Sequence, residues 1–325
     1  MSNVQASTHR GKSPALGTVA AVLLLAGVAL FLITGRQWRS STSPSTPHGI
    51  RTLSDLLLVP AEQLSQVDIG RMDLLCAQGL PGAEDLDMDR CLETLDQMAE
   101  RVRSETSRHR YRYERNPAEF EHSEGYFQML FLAVVLAEDF KATYVPDKRG
   151  TAADARPGDG FFADAHDIFL HGLLGGRRHG TCSSLPVLQI AVGRRLGYPL
   201  KLVTTKGHLF LRWEDARERF NIEAAGQGVN RFSDEYYRHW PVETSDQDVA
   251  AEGYLQSLSA AEELAAMLSI RAACLREASR AADARAAFAA AAALAPGCQT
   301  YRYMAQVMSP TTSRPQARQS ADPKP

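Results

Sequence analysis

Apolar residues recur with a helical period from residue 88 onward: Met88, Cys91, Leu92, Leu95, Met98 or Ala99, and Val102, with charged residues between them. A 3.6-residue repeat of this kind predicts an amphipathic helix, with Asp85 or Asp87 ahead of it as the capping residue. Tyr126 to Phe140 carries the run Leu130 to Leu136, which is apolar nearly all round. That predicts a buried helix; the run is too short for a bilayer, and Glu138-Asp139 closes it. Leu185 to Leu196 reads as a third helix, stopped by Gly197-Tyr198-Pro199. The pattern then changes: Leu200 to Thr204 and His208 to Trp213 read as strands, Glu214 to Arg217 as a turn, and Phe220 to Glu223 as a return strand.

The two ends differ from this middle. Residues 1–14 form a short polar tail, and residues 15–34 (ALGTVAAVLLLAGVALFLIT) carry no charge. At about 1.5 Å per residue they reach roughly 30 Å, the thickness of the hydrocarbon layer. Gly35-Arg36-Gln37-Trp38-Arg39 follows as a basic, aromatic flank. An uncleaved single-pass anchor is therefore favoured over a cleaved signal peptide, whose apolar part is shorter. Basic residues on the two sides nearly balance, and the layout with a large domain outside places the soluble part extracytoplasmically. Residues 35–50 read as a Ser/Thr/Pro-rich linker, 51–150 as a helical part of the functional region, and 151–245 as its α+β core, entered through the loop at 151–160. Residues 246–308 form a helical region, and 309–325 a polar tail expected to be disordered. Within residues 246–308, Ala284, Phe288, Ala291 and Pro296 keep the spacing of the second helix of a tetratricopeptide unit, although an Ala-rich helical hairpin satisfies it equally. Such a region is a candidate surface for a protein partner.

Composition narrows the classes without choosing among them. The chain of 325 residues is 44% hydrophobic and 23% charged, with net charge −2. Nothing here predicts binding to nucleic acid. The five cysteines, Cys76, Cys91, Cys182, Cys274 and Cys298, form no C-x-x-C pair and no regular frame, so neither a zinc ribbon nor a disulfide scaffold is expected.

Cys182 stands apart from the other four. It lies in Gly180-Thr181-Cys182-Ser183-Ser184-Leu185-Pro186, and proline is tolerated only in the first turn of a helix. The helix must begin near residues 181–184, with Ser183 or Ser184 as its cap, and Cys182 sits in or just before the first turn. Free backbone N–H groups there favour a thiolate and can hold an oxyanion. His208 starts the second strand. In a hairpin closed at Asp215-Ala216, or by Glu214 to Arg217, Trp213 pairs with Glu218, Leu211 with Phe220, Phe210 with Asn221 and His208 with Glu223. Glu223, or Asn221 on the same face, is then the residue that orients the imidazole. A thiol at a helix start with an imidazole on a strand is the apparatus of nucleophilic acyl chemistry. His166, His171 and His179 match no usual ligand spacing with Cys182, so no metal and no cofactor is expected.

At Gly180 to Pro186, Val192 to Pro199, Leu202 to His208 and Phe220 to Glu223 the chain resembles the transglutaminase-like superfamily, most of all the bacterial SirB-type proteins with a tetratricopeptide-like tail. The resemblance is strongest over Phe161 to Trp240. It implies an α+β, papain-like core in which the nucleophile helix packs on antiparallel strands. Cys182 matches the nucleophile and His208 the general base, while Glu223 or Asn221 stands where the family usually has Asp. It implies a peptide or protein amide as substrate, with hydrolysis or acyl transfer as the outcome. The superfamily also holds inactive members, so a non-catalytic scaffold is the second expectation.

Overall fold

A computed structural model describes residues 49–148, 160–225 and 228–307. The tail and anchor expected at 1–34, most of the linker to residue 50, the loop at 151–159 and the tail from 309 lie outside the described residues. Among the described residues no helix is long and apolar enough to cross a membrane.

The first half is helical. α1 (Leu53–Leu57) starts from a reciprocal cap between Thr52 and Asp55, and α2 (Ile69–Ala77) is buried along nearly its whole length. α3 (Met88–Arg115) is capped by Asp87, whose side chain accepts the Arg90 N–H. It runs 13 residues past Val102, where the apolar period stops. Beyond that point it is supported by i,i+3 and i,i+4 pairs such as Arg108–Glu105 and Arg110–Glu114, which stabilise a helix without any apolar stripe. α4 (Glu124–Glu138) starts from Ser123. Phe127, Met129, Leu132, Ala133, Val135 and Leu136 face the core, but Val134 is 42% exposed. One side of this apolar helix therefore meets solvent, which corrects the expectation that it is buried all round.

The remaining elements form the mixed part. β1 (Thr143–Tyr144) runs parallel to β2 (His179–Gly180), with Tyr144 opposite Gly180. α5 (Ala165–Ile168) and α6 (Leu170–Leu174) lie between them in sequence. α7 (Leu185–Arg195) follows, and then β3 (Leu200–Thr205), β4 (His208–Glu214) and β5 (Arg219–Ile222) form an antiparallel sheet in that order. α8 (Asp234–His239), α9 (Asp246–Glu252), α10 (Ala260–Glu277), α11 (Ala281–Leu294) and α12 (Gln299–Val307) complete the chain.

Side chains alternate across the sheet. Leu200, Leu202, Leu211, Trp213 and Ile222 point toward α7 and join the main core with Leu188 and Val192. Gly193 makes the close approach possible: a Cβ there would lie 2.3 Å from a Leu200 methyl. The other face carries His208, Phe210, Arg212 and Asn221, and a smaller apolar cluster of Val203, Phe210, Tyr237 and Leu255 covers it. The C-terminal helices are tied to this framework. Glu263 of α10 is 1% exposed, and Arg194 of α7 holds it with two parallel bonds of 2.9 and 2.6 Å. The described residues belong to one compact unit.

Candidate active site

Three side chains from separate elements meet at one place. The turn ahead of α7 places the first. The N–H groups of Ser184 and Leu185 bond the Thr181 carbonyl at 3.2 and 3.0 Å, so the chain is already winding when it passes Cys182. Ser184 is the N-cap of α7, Pro186 lies in its first turn, and Cys182 precedes that cap by two residues. Gly180 admits the turn, because a Cβ there would lie 2.5 Å from Ser184 Oγ and 2.7 Å from a Leu173 methyl.

His208, at the start of β4, supplies the second group. Its Nε2 lies 2.8 Å from Glu223 Oε2. A carboxylate only accepts hydrogen bonds, so Nε2 carries the proton and Nδ1 is the nitrogen left for Cys182. Nδ1 is buried and has no aligned hydrogen-bond partner, yet the Cys182 side chain is near enough to act on the ring. Hydrogen bonds around a candidate general base are often long or poorly aligned when no substrate is bound. Burial by itself lowers the imidazole pKa; the neighbouring Cys182 side chain and the hydrogen bond to Glu223, together with the charge of both, overcome this and raise it from 6.5 to about 9.

Glu223 is the third group, and every bond to it is a donor turned toward a carboxylate. Ala225 N–H bonds Oε1 at 2.9 Å, and the Tyr237 hydroxyl bonds Oε2 at 3.2 Å. Burial and the Glu223 charge raise the Tyr237 pKa, which keeps the phenol neutral and donating. Asn221 does not reach His208. Its Oδ1 accepts from Arg212 Nε at 2.7 Å, and its Nδ2 donates to Phe232 O and Asp234 Oδ1 at 3.0 and 2.8 Å. Asn221, the other residue expected to orient the imidazole, is held instead by the buried guanidinium of Arg212.

The hairpin register also differs from expectation. Leu211 pairs with Ile222, Arg212 with Asn221, and Trp213 with Phe220, two residues away from the expected pairing. Asp215 closes a four-residue loop by accepting the N–H groups of Arg217 and Glu218 at 2.7 and 2.9 Å. A slip of two keeps every side chain on its face. Glu223 therefore remains on the His208 side, and reaches the ring diagonally instead of from directly opposite.

Sequence reasoning missed Tyr237, Trp240 and Tyr144. The His208 and Trp240 rings are 4.7 Å apart, edge to face, and Tyr237 stacks on Phe210 at 3.8 Å. Neither aromatic stands out from the helical pattern around it. All three central side chains are buried, with Cys182 3%, His208 2% and Glu223 7% exposed. Burial raises the thiol of Cys76, and pushes Cys91 up to about 11 and Cys274 and Cys298 up to about 12. His166 and His171 face each other at 4.6 Å, and His171 Nε2 sits 2.9 Å from the Gly82 carbonyl oxygen. Among the described residues no group of three or more His, Cys, Asp or Glu side chains is arranged to hold a metal ion.

The raised His208 pKa makes stability depend on pH. A proton held more tightly in the folded state contributes stability that is complete below pH 6.5 and lost as pH rises through about 9. At about 1.4 kcal/mol per pH unit, the loss is on the order of 3 kcal/mol. Urea midpoints at the two ends of that window are expected to differ more in the wild type than in Glu223→Gln. Asp73, whose buried carboxyl is pushed up to about 7, is present in both proteins and cancels in the comparison. Equal slopes in the two proteins would assign the dependence to other groups.

A family model described as the transglutaminase-like superfamily matches residues 89–269, from the first turn of α3 into α10. No curated protein and no solved structure matches the chain.

Proposed function

Since this chain belongs to the transglutaminase-like superfamily, we propose that it is a cysteine enzyme acting on amide bonds through a thiol acyl-enzyme, with Cys182 as nucleophile, His208 as general base and Glu223 as the residue that orients it. The observation that carries this reading is the 2.8 Å bond from His208 Nε2 to Glu223, which leaves Nδ1 to Cys182. A cationic imidazole beside sulfur stabilises the thiolate, the reactive form. The sulfur adds to the amide carbonyl carbon, and collapse of the intermediate breaks the C–N bond while His208 protonates the departing nitrogen. Water or an amine then takes the acyl group. Hydrolysis is the simpler outcome, because transamidation requires a site that excludes water.

The substrate in this reading is a peptide or a protein side-chain amide. Residues 15–34 anchor the chain in a bilayer with the enzyme on the extracytoplasmic side. The Ala-rich α10–α11 pair, with Ala284, Phe288 and Ala291 buried, forms a tetratricopeptide-like tail of the SirB type that recruits a protein partner. Burial of all three site residues favours a second reading, a catalytically silent scaffold that keeps the fold.

Iodoacetamide labelling at neutral pH, read site by site among the five cysteines, separates the two. An enzyme is expected to be labelled first at Cys182, with loss of that selectivity in His208→Ala. Equal labelling of all five thiols, or labelling of Cys182 that ignores His208, would leave the scaffold.

A further inference from the structure

We propose that the Tyr144 hydroxyl is the second oxyanion donor of this site, acting with the backbone N–H of Cys182 on the carbonyl oxygen of the bound amide. The assignment rests on the acyl-transfer reading above and adds a catalytic group to it. β1 is two residues long, and its only strand partner among the described residues is β2, the segment that leads into Cys182. Thr143 N–H bonds the Arg178 carbonyl at 3.0 Å and Val145 N–H bonds the Gly180 carbonyl at 2.9 Å, which clamps Tyr144 between them. The phenol lies near enough to Cys182 for both the backbone amide and the thiol to act on it.

The other hydroxyls of the turn are already committed. Ser183 Oγ bonds the Ile168 carbonyl at 3.0 Å and Thr181 Oγ1 at 2.7 Å, and Ser184 Oγ accepts the Thr181 N–H at 3.1 Å. Ser183, Ser184 and Leu185 send their N–H groups back to Thr181. Among the described residues this leaves the Cys182 N–H no oxygen to meet except the Tyr144 hydroxyl. Burial, with the thiol and Glu223 nearby, raises the phenol pKa, so the hydroxyl stays protonated and keeps a hydrogen to donate. The ring is half-buried while Cys182 is closed off.

In the step itself the S–C bond forms as the carbonyl π pair moves onto oxygen. That oxygen replaces the phenol at the Cys182 N–H and accepts the Tyr144 O–H as well. On collapse the pair returns, the C–N bond breaks, and the leaving nitrogen takes its proton from His208.

Two reagents separate this role from others in the full chain. p-Nitrophenyl acetate passes through an oxyanion, whereas iodoacetamide reacts by displacement at a saturated carbon and forms none. Tyr144→Phe keeps the ring and removes the donor; its acylation rate is expected to fall about 10²- to 10³-fold at a saturation constant near the wild-type value, with Cys182 alkylation unchanged. A parallel fall in both rates would make Tyr144 a support for the thiol, a rise in both would make it a cover, and no change in either would leave it without a role; each overturns the assignment. If instead Cys182→Ala acylates as fast as the wild type, the acyl-transfer reading itself fails.

Discussion

Glu223→Gln is expected to slow acylation of Cys182 by about 10⁴-fold, the loss seen when a carboxylate that orients a catalytic histidine becomes an amide. The reason lies in how Glu223 is held. Ala225 N–H points at Oε1, so a glutamine must place its carbonyl there and turn its NH₂ toward His208. The Nε2 atom, which now donates to Glu223, would have to accept instead, and the ring proton would move to Nδ1. The base would then face sulfur with no lone pair. Asn221→Ala is the matching control. It removes the other polar residue of that strand face, which binds Arg212 and not the imidazole, and is expected to leave acylation near the wild-type rate while weakening the fold. Single-turnover release of p-nitrophenolate measures both. A loss of less than ten-fold in Glu223→Gln, alongside a large loss in Asn221→Ala, would reverse the assignment.

Arg212→Ala is expected to cost about 3–5 kcal/mol of stability, the range for removing one member of a buried ion pair. Arg212 is 1% exposed and is among the largest fully buried side chains. It donates to Asn221, the Leu255 carbonyl, Ser257 Oγ and Asp234, and so ties the sheet to α8 and to the segment after α9. Asp234 is 36% exposed and also meets Arg219, so solvent screens the charge part of the loss. Most of the cost comes from the cavity and from acceptors left unpaired. Arg212→Met refills volume without donating and is expected to fall between alanine and the wild type. Urea unfolding gives the values, and an alanine cost below about 1 kcal/mol would show that the network contributes little. Because α8 carries Tyr237, whose hydroxyl bonds Glu223, loosening this anchor is also expected to disturb the site.

Local chemistry explains why some of this was legible in the chain. Pro186 limits where α7 starts, which puts Cys182 at its entrance whatever the rest of the fold does. The alternation in β4 places His208, Phe210 and Arg212 on one face, and an even hairpin loop places Asn221 and Glu223 on that same face. The two-residue error in register left this parity intact. It arose because Glu218, read as part of the return strand, is drawn away to the start of α4, where its carboxylate binds Ser123 Oγ and the Gly125 N–H. No pattern within the hairpin reveals a partner about 95 residues earlier.

The far half of α3 was illegible for a different reason. Its stabilising pairs are charged, and the apolar period used to recognise helices ends before them. β1 is shorter than any alternation that periodicity can detect, and so Tyr144 carried no signal at all.

The chain alone therefore determined the local elements, the helix start at the thiol and the face shared by His208, Asn221 and Glu223, because proline sterics and strand pleating act over a few residues. Only the tertiary structure set Glu223, and not Asn221, against the His208 ring and brought Tyr144 and Tyr237 beside them. Those outcomes depend on which distant donor is buried beside each acceptor: Arg212 claims Asn221 for the fold, and the donors left over turn Glu223 toward the imidazole.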